Sequence, residues 1–298
     1  MKASTLSLLV GSVLFAALAL GCSGQRETPP PAPTEGPSSV SAQAVWTGAL
    51  DEAAFAALHE LSEAEAPPRL GARFSLAASG SRAALDGYLS LPPGTEPPLA
   101  AVVLIHEWWG LNGHIEHWAD RIAAQGYAVL AVDLYGGTVA TTREEAMAAM
   151  GAVDAERARA QLASALWYAK NHPRIQAEKI ATMGWCFGGK WSLEAAVAHP
   201  ELQGAVIYYG QLVDDPAKLA NIGAEVLGVF GTRDPSIPNE VVDQFEANLK
   251  EAGVEHRILR YDAEHAFANP SSARYDQANA EAAWGETQDF LARVLKGE

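Results

Sequence analysis

The sequence predicts an α/β protein: a mostly parallel sheet with helices on both faces. Short, continuous apolar runs such as Ala100 to Ile105 and Val226 to Phe230 read as strands buried on both sides. Stretches of helical periodicity alternate with them, which calls for crossover connections rather than hairpins. The third observation is the segment Lys179 to Ser192, in which an apolar run reaches Gly184, Cys186 follows two residues on, and Gly188-Gly189 lead into a new apolar periodicity. That is strand, sharp turn, helix.

In chain order, residues 1–21 stand apart from the fold. Lys2 supplies one positive charge, Leu6 to Leu20 is a short apolar run, and Ala19-Leu20-Gly21-Cys22 ends it on small residues, the layout of a secretory signal. The run is shorter than the ~20 residues of a comfortable membrane span. Cys22 after Gly21 resembles a bacterial lipobox, so the expectation is an exported chain, lipid-anchored through Cys22 to the cell envelope and facing the periplasm or outer membrane in a Gram-negative cell. Residues 22–45 are rich in Pro, Ser and Gly and read as a disordered tether. Residues 46–69 read as a helical appendage, with Phe55, Leu58 and Leu61 on one face and Asp51 as a cap.

The domain proper is expected over residues 70–298. Two short strands open it, near Ala72 to Ala77 and Leu85 to Leu91. There follow strand Ala100 to Ile105, helix His114 to Gln125, strand Tyr127 to Val132 and one or two helices in Thr142 to Lys170. After the strand, turn and helix around Cys186 come strands Ala205 to Tyr209 and Val226 to Phe230, helix Asn239 to Ala252, strand His256 to Tyr261 and a long helix from about Ser272 to Lys296. No internal repeat is visible.

Composition narrows the function. The 298 residues carry a formal charge of −15, which argues against nucleic acid and against anionic lipid headgroups as partners. The chain has 2 cysteines. With Cys22 consumed by lipid, Cys186 has no disulfide partner, and an unpaired thiol in an exported protein suggests one kept for chemistry.

Gly-x-Cys-x-Gly between a buried strand and a helix is the nucleophile elbow of the α/β-hydrolase fold, with cysteine where serine usually stands. A helix N-terminus favours thiolate there. Two rivals compete. A lone cysteine can be a small buried hydrophobe. Gly184 to Lys190 also fits a phosphate loop, but the next position needs Ser or Thr and holds Trp191.

In a parallel sheet the chemistry gathers beyond the carboxyl ends of the strands. The strand ending at Phe230 runs into Gly231-Thr232-Arg233-Asp234, and that ending at Tyr261 into Asp262-Ala263-Glu264-His265. Cys186, Asp234 and His265 therefore fall in the order this fold requires of nucleophile, acid and base. Trp108, after the first buried strand, and Phe187, after the nucleophile, are the expected oxyanion-hole amides. Trp109, Tyr135 and Phe267 are expected to line an apolar pocket. For a metal, His106, Glu107, His114 and His117 lie close in sequence, yet there is no H-E-x-x-H and no third ligand is sensibly spaced. His59, His172, His199 and His256 read as structural or surface groups. Neither metal nor cofactor is expected.

His-Glu-Trp-Trp-Gly-Leu-Asn from 106, Asp-Leu-Tyr from 133, Gly-Trp-Cys-Phe-Gly-Gly from 184, Gly-x-x-Asp from 231 and Glu-His-Ala-Phe from 264 together resemble the dienelactone hydrolase family. The resemblance implies a Cys186, Asp234 and His265 triad. It also implies that Glu107 contacts the resting thiol and helps generate thiolate. Where members hold the dienelactone carboxylate with two arginines, this chain has Gly137 and Asn269. The expected activity is therefore hydrolysis of a small, less charged ester or lactone through a thioester. The competing class is a non-catalytic, membrane-anchored lipoprotein that keeps the fold as a binding or scaffolding module.

Overall fold

A computed structural model describes residues 51–59 and 68–298. The signal segment 1–21, Cys22 and the tether 22–45 lie outside the described residues. Helix α1 (Glu52–Leu58) is followed by strands β1 (Ala72–Leu76), β2 (Leu85–Ser90) and β3 (Ala101–Ile105), then α2 (Gly113–Ala123), β4 (Ala128–Val132), α3 (Arg143–Gly151) and α4 (Ala155–Asn171). The second half holds β5 (Ile180–Trp185), α5 (Phe187–Ala198), β6 (Gly204–Tyr208), the short α6 (Pro216–Leu219), β7 (Glu225–Gly231), α7 (Asn239–Glu251), β8 (His256–Tyr261) and α8 (Gln277–Leu291).

The eight strands form one sheet in the order β1-β2-β4-β3-β5-β6-β7-β8. The β1/β2 and β2/β4 pairs are antiparallel, and every pair from β4 to β8 is parallel. Every residue of β3 and β4 is buried, as expected of strands covered on both faces. Alternation divides them between two cores. Ala101, Val103 and Ile105 pack with α4, α5 and α7, whereas Val102 and Leu104 pack with α1, α2 and α8.

Local chemistry sets the helix ends. Thr142 and Glu145 form a capping box at α3, and Asp154 accepts from the Arg157 amide at 2.7 Å to start α4, so the polar stretch 142–170 is two helices. The last helix starts at Gln277, not near Ser272, because Asp276 caps it and the residues before it are turns. It ends in a π turn over Ala292–Lys296.

The described part of the appendage, residues 51–59, packs on the domain; residues 46–50 and 60–67, Leu61 among them, lie outside the described residues. Asp51 accepts from the Ala54 amide at 2.7 Å, and the fully buried Phe55 packs on Trp118 with ring centroids 4.4 Å apart. Glu52 pairs with Arg121 at 2.9 Å, both side chains buried, and also accepts from the Tyr275 hydroxyl at 2.8 Å.

Candidate active site

The elbow is a close three-way approach of backbone. A Cβ at Gly184 would lie 2.4 Å from the Gly188 carbonyl carbon, and one at Gly188 would lie 2.2 Å from the Ile105 oxygen. Only hydrogen fits at either place. The turn puts Cys186 at φ 53°, a left-handed conformation that costs a non-glycine residue and persists only where its surroundings enforce it. The Cys186 amide donates to Tyr208 O at 2.9 Å, and its carbonyl accepts from the Lys190 amide at 3.2 Å. The half-buried sulfur is thus fixed at the N-terminus of α5.

Strand order brings the partners to it. In register, β3 ends at Ile105 opposite Gly184, and β7 ends at Gly231 opposite Tyr261 of β8. The loops beyond them therefore open on one sheet edge. Asp234, almost wholly buried, accepts from Ser236 N at 2.7 Å and from His265 Nδ1 at 2.6 Å. Cys186 is near enough to the His265 ring to favour its protonated form. Burial disfavours the imidazolium, but the Asp234 hydrogen bond and the neighbouring Cys186 and Asp234 groups outweigh it and raise the His265 pKa to about 10. Burial likewise works to raise the Asp234 carboxyl, yet the bond and charge of His265 and the two backbone amides hold it below the usual range.

Glu107 is buried beside this pair. Burial pushes its pKa up to about 7, against the charge of His265 and a hydrogen bond donated by Asn269. His106 is consumed structurally: its Nδ1 donates to Glu107 O at 2.6 Å, and its Nε2 accepts from the Leu134 amide at 3.1 Å. Among the described residues, neither the Trp108 nor the Phe187 amide donates a hydrogen bond. As first residue of α5, Phe187 has no intrahelical acceptor.

The aromatic residues divide. Tyr135 packs on Phe187 at 5.2 Å, and its hydroxyl pKa is raised by burial and then by the charge on Cys186. Trp109, half-buried, stacks edgewise on Trp108 at 4.9 Å. Phe267 corrects the sequence reading. It is fully buried between Tyr209 and Tyr261, so it packs the core and presents no surface to a substrate. Tyr209, expected as the last residue of a strand, lies just beyond β6 at φ 37° with its ring 5.1 Å from that of His265. The strand-end rule, applied to Tyr208-Tyr209-Gly210, would have found it. Asn269 joins Glu107, whereas the Gly137 amide donates to Asp133 Oδ2 at 2.5 Å beside a separate open cleft.

Fold and site together define an α/β-hydrolase. The family model "Dienelactone hydrolase family" matches residues 85–295. A Salmonella typhimurium protein, named as a proposed carboxymethylenebutenolidase, is 28% identical over 235 residues, covering 70% of this chain and 83% of its own. A protein of the same name from Saccharolobus solfataricus is 28% identical, with 72% and 96% covered. The crystal structure of a proposed dienelactone hydrolase from Klebsiella pneumoniae superposes with a TM-score of 0.69 at 25% identity, covering 76% of this chain and 99% of that one. The chain belongs to the dienelactone hydrolase family and is a hydrolase.

Proposed function

We propose that this hydrolase cleaves a small ester or lactone, weakly charged or neutral, through a thioester on Cys186. The observation that carries the reading is His265, hydrogen-bonded to Asp234 at 2.6 Å and near enough to Cys186 for that group to favour the imidazolium. The sulfur, its proton on His265, attacks the carbonyl carbon and the C=O electron pair moves onto oxygen. The Phe187 and Trp108 amides receive that oxyanion. Collapse of the adduct expels the alkoxide, which takes its proton from the His265 imidazolium. Water then gives a proton to neutral His265 as it attacks the thioester, and the second collapse releases the acid and returns the thiol–imidazole pair. Asp234 fixes the ring and stabilises its cationic form. Glu107 tunes the thiol and His265 through its charge. In a lactone the alkoxide and the acid belong to one molecule.

The neutral preference rests on Asn269 and Gly137, neither of which offers a substrate carboxylate the fixed charge of an arginine. A panel of neutral and anionic lactones and p-nitrophenyl esters, run with a Cys186→Ala control, tests both parts. Neutral substrates should turn over faster and the variant should be inactive. Undiminished esterase activity in Cys186→Ala removes the mechanism.

We propose further that residues 1–21 direct export and that Cys22 carries the lipid, the tether spacing the domain from the envelope. Metabolic labelling with an alkynyl fatty acid should mark the parent and not Cys22→Ser. Equal labelling of both overturns the anchor.

A further inference from the structure

The sequence supplies His114 and His117 on one face of α2 and no third ligand nearby. The fold supplies it from a different element. His59, at the C-terminal end of α1, comes over α2 so that one ligand nitrogen from each of His59, His114 and His117 lies within 4.8 Å of the others. The His59 and His114 rings stand parallel with centroids 4.5 Å apart, and the His117 ring stands 5.8 Å from that of His59.

We infer that His59, His114 and His117 form a binding site for a late first-row divalent metal ion, Zn2+ in the first place, that staples α1 to α2. An ion at the centre of the three nitrogens needs each to close by less than about 1 Å to reach the ~2.0–2.1 Å of a Zn–N bond. His59 is oriented as a ligand. Its Nδ1–H donates to the Phe55 carbonyl at 3.1 Å, the backbone bond that commonly fixes the tautomer of a metal-bound imidazole. That bond leaves Nε2 as the nitrogen that carries the lone pair. Nε2 is buried and makes no hydrogen bond in a residue only 8% exposed, an arrangement that costs free energy unless something accepts the lone pair.

The surroundings favour a cation bound by neutral nitrogen. Burial first, and then neighbouring charge, lowers the pKa of His59 and of His117 to about 3, so both are neutral ligands at physiological pH. The nearby guanidinium groups are already paired, Arg69 with Glu116 at 3.2 Å and Arg121 with Glu52 at 2.9 Å. His59 and His114 also border a cavity of about 30 Å³ that reaches Glu107 and Asn269, room for a water in the fourth position. Three imidazoles and a water suit Zn2+, Ni2+ or Cu2+ and discriminate against Mg2+ and Ca2+, which want oxygen. Glu107 borders the cavity but Cys186 and His265 do not, so the ion sits between α1 and α2 and not on the reacting thiol or imidazole.

The test uses the full chain as Cys186→Ala, so that the active-site thiol cannot compete for the ion. The protein is stripped with chelator, titrated with Zn2+ by calorimetry, loaded with Co2+ for its visible spectrum, and melted with and without Zn2+. A single equivalent should bind, the Co2+ spectrum should show imidazole coordination, and the melting temperature should rise. His59→Gln and the partly exposed His114→Asn should each lose all three responses, affinity falling by more than the ~10–100-fold that removal of an outer partner costs. Circular dichroism of His114→Asn reports that the fold is retained. Binding that persists in both variants, or a folded parent that takes up no equivalent, overturns the site.

Discussion

The side-chain amide of Asn269 donates a hydrogen bond to Oε2 of Glu107, tying the loop after β8 to the loop after β3 across the catalytic edge of the sheet. The resemblance places an arginine at this position to grip a substrate anion. Here the position serves the enzyme's own carboxylate instead. Burial lifts Glu107 to about 7 and the Asn269 donor opposes that lift, so this pair sets the charge near Cys186 in the neutral range.

Replacing Asn269 by Ala removes one of the groups that stabilise the Glu107 carboxylate. The Glu107 pKa should then rise above about 7. The inflection it contributes to the pH profile of kcat/KM should move to higher pH, and Glu107→Gln should abolish it. An Asn269→Ala profile that overlays the parent disconnects the two residues.

The Asp234→Asn variant should keep the fold and lose catalysis by ~10²–10⁴, because the ring loses its orientation and its stabilising charge. Asp234 is one of the groups that raise His265 to about 10, so the alkaline limb of kcat/KM, where the imidazolium acid is lost, should move down in the variant. Stability carries the same sign. A folded pKa of about 10 lies above the unfolded value of ~6.5, so this contribution is complete below pH ~6.5 and is lost as pH rises through about 10. Melting temperatures between pH 6 and 10 should therefore fall more steeply in the parent than in Asp234→Asn.

Cys186, Asp234 and His265 were legible in the sequence because each sits in a short local pattern: glycines beside a thiol, or an apolar run that stops one loop short of an acid or an imidazole. Parallel strand order then brings those patterns to one edge. Side-chain direction was not legible. Phe267 and Tyr209 both follow strand ends, yet Phe267 turns into the core and Tyr209 onto the His265 ring, a choice made by positive φ at Ala266 and Tyr209. The approach of His59 to His114 was equally hidden. It depends on where α1 docks, which Phe55 and Glu52 decide through contacts distant in sequence.

Gly188→Ala tests the elbow without touching a reacting group. Its Cβ would lie 2.2 Å from the Ile105 oxygen and 2.7 Å from that of His106, both backbone, so β3 or α5 must retreat. Overpacking of this kind costs about 1–3 kcal/mol. Because His106 leads directly into Glu107 and Trp108, the displacement also moves the amide proposed to receive the oxyanion, and a shift near 1 Å is worth ~10² in rate. Denaturant unfolding and ester hydrolysis should both show the loss. A variant with parent stability and parent rate contradicts the three-way backbone contact.

The ion pair between Glu52 and Arg121 decides whether α1 is part of the domain or an accessory to it. Both side chains are nearly inaccessible, 1% and 4% exposed, so the pair is not weakened by solvent as a surface bridge would be. Removing the carboxylate takes from Arg121 its ion-pair partner at 2.9 Å in a site walled by Phe55, Trp118 and Trp284, whose rings lie 4.1 to 5.1 Å from the guanidinium carbon. Glu52→Ala should therefore cost about 3–5 kcal/mol in urea unfolding, with the Tyr275 hydroxyl losing its acceptor as well. Removing both charges should cost less than removing the carboxylate alone, since Glu52→Leu with Arg121→Met leaves no buried ion behind. A Glu52→Ala loss below about 0.5 kcal/mol is the size expected of a surface site, and would place α1 outside the cooperative unit.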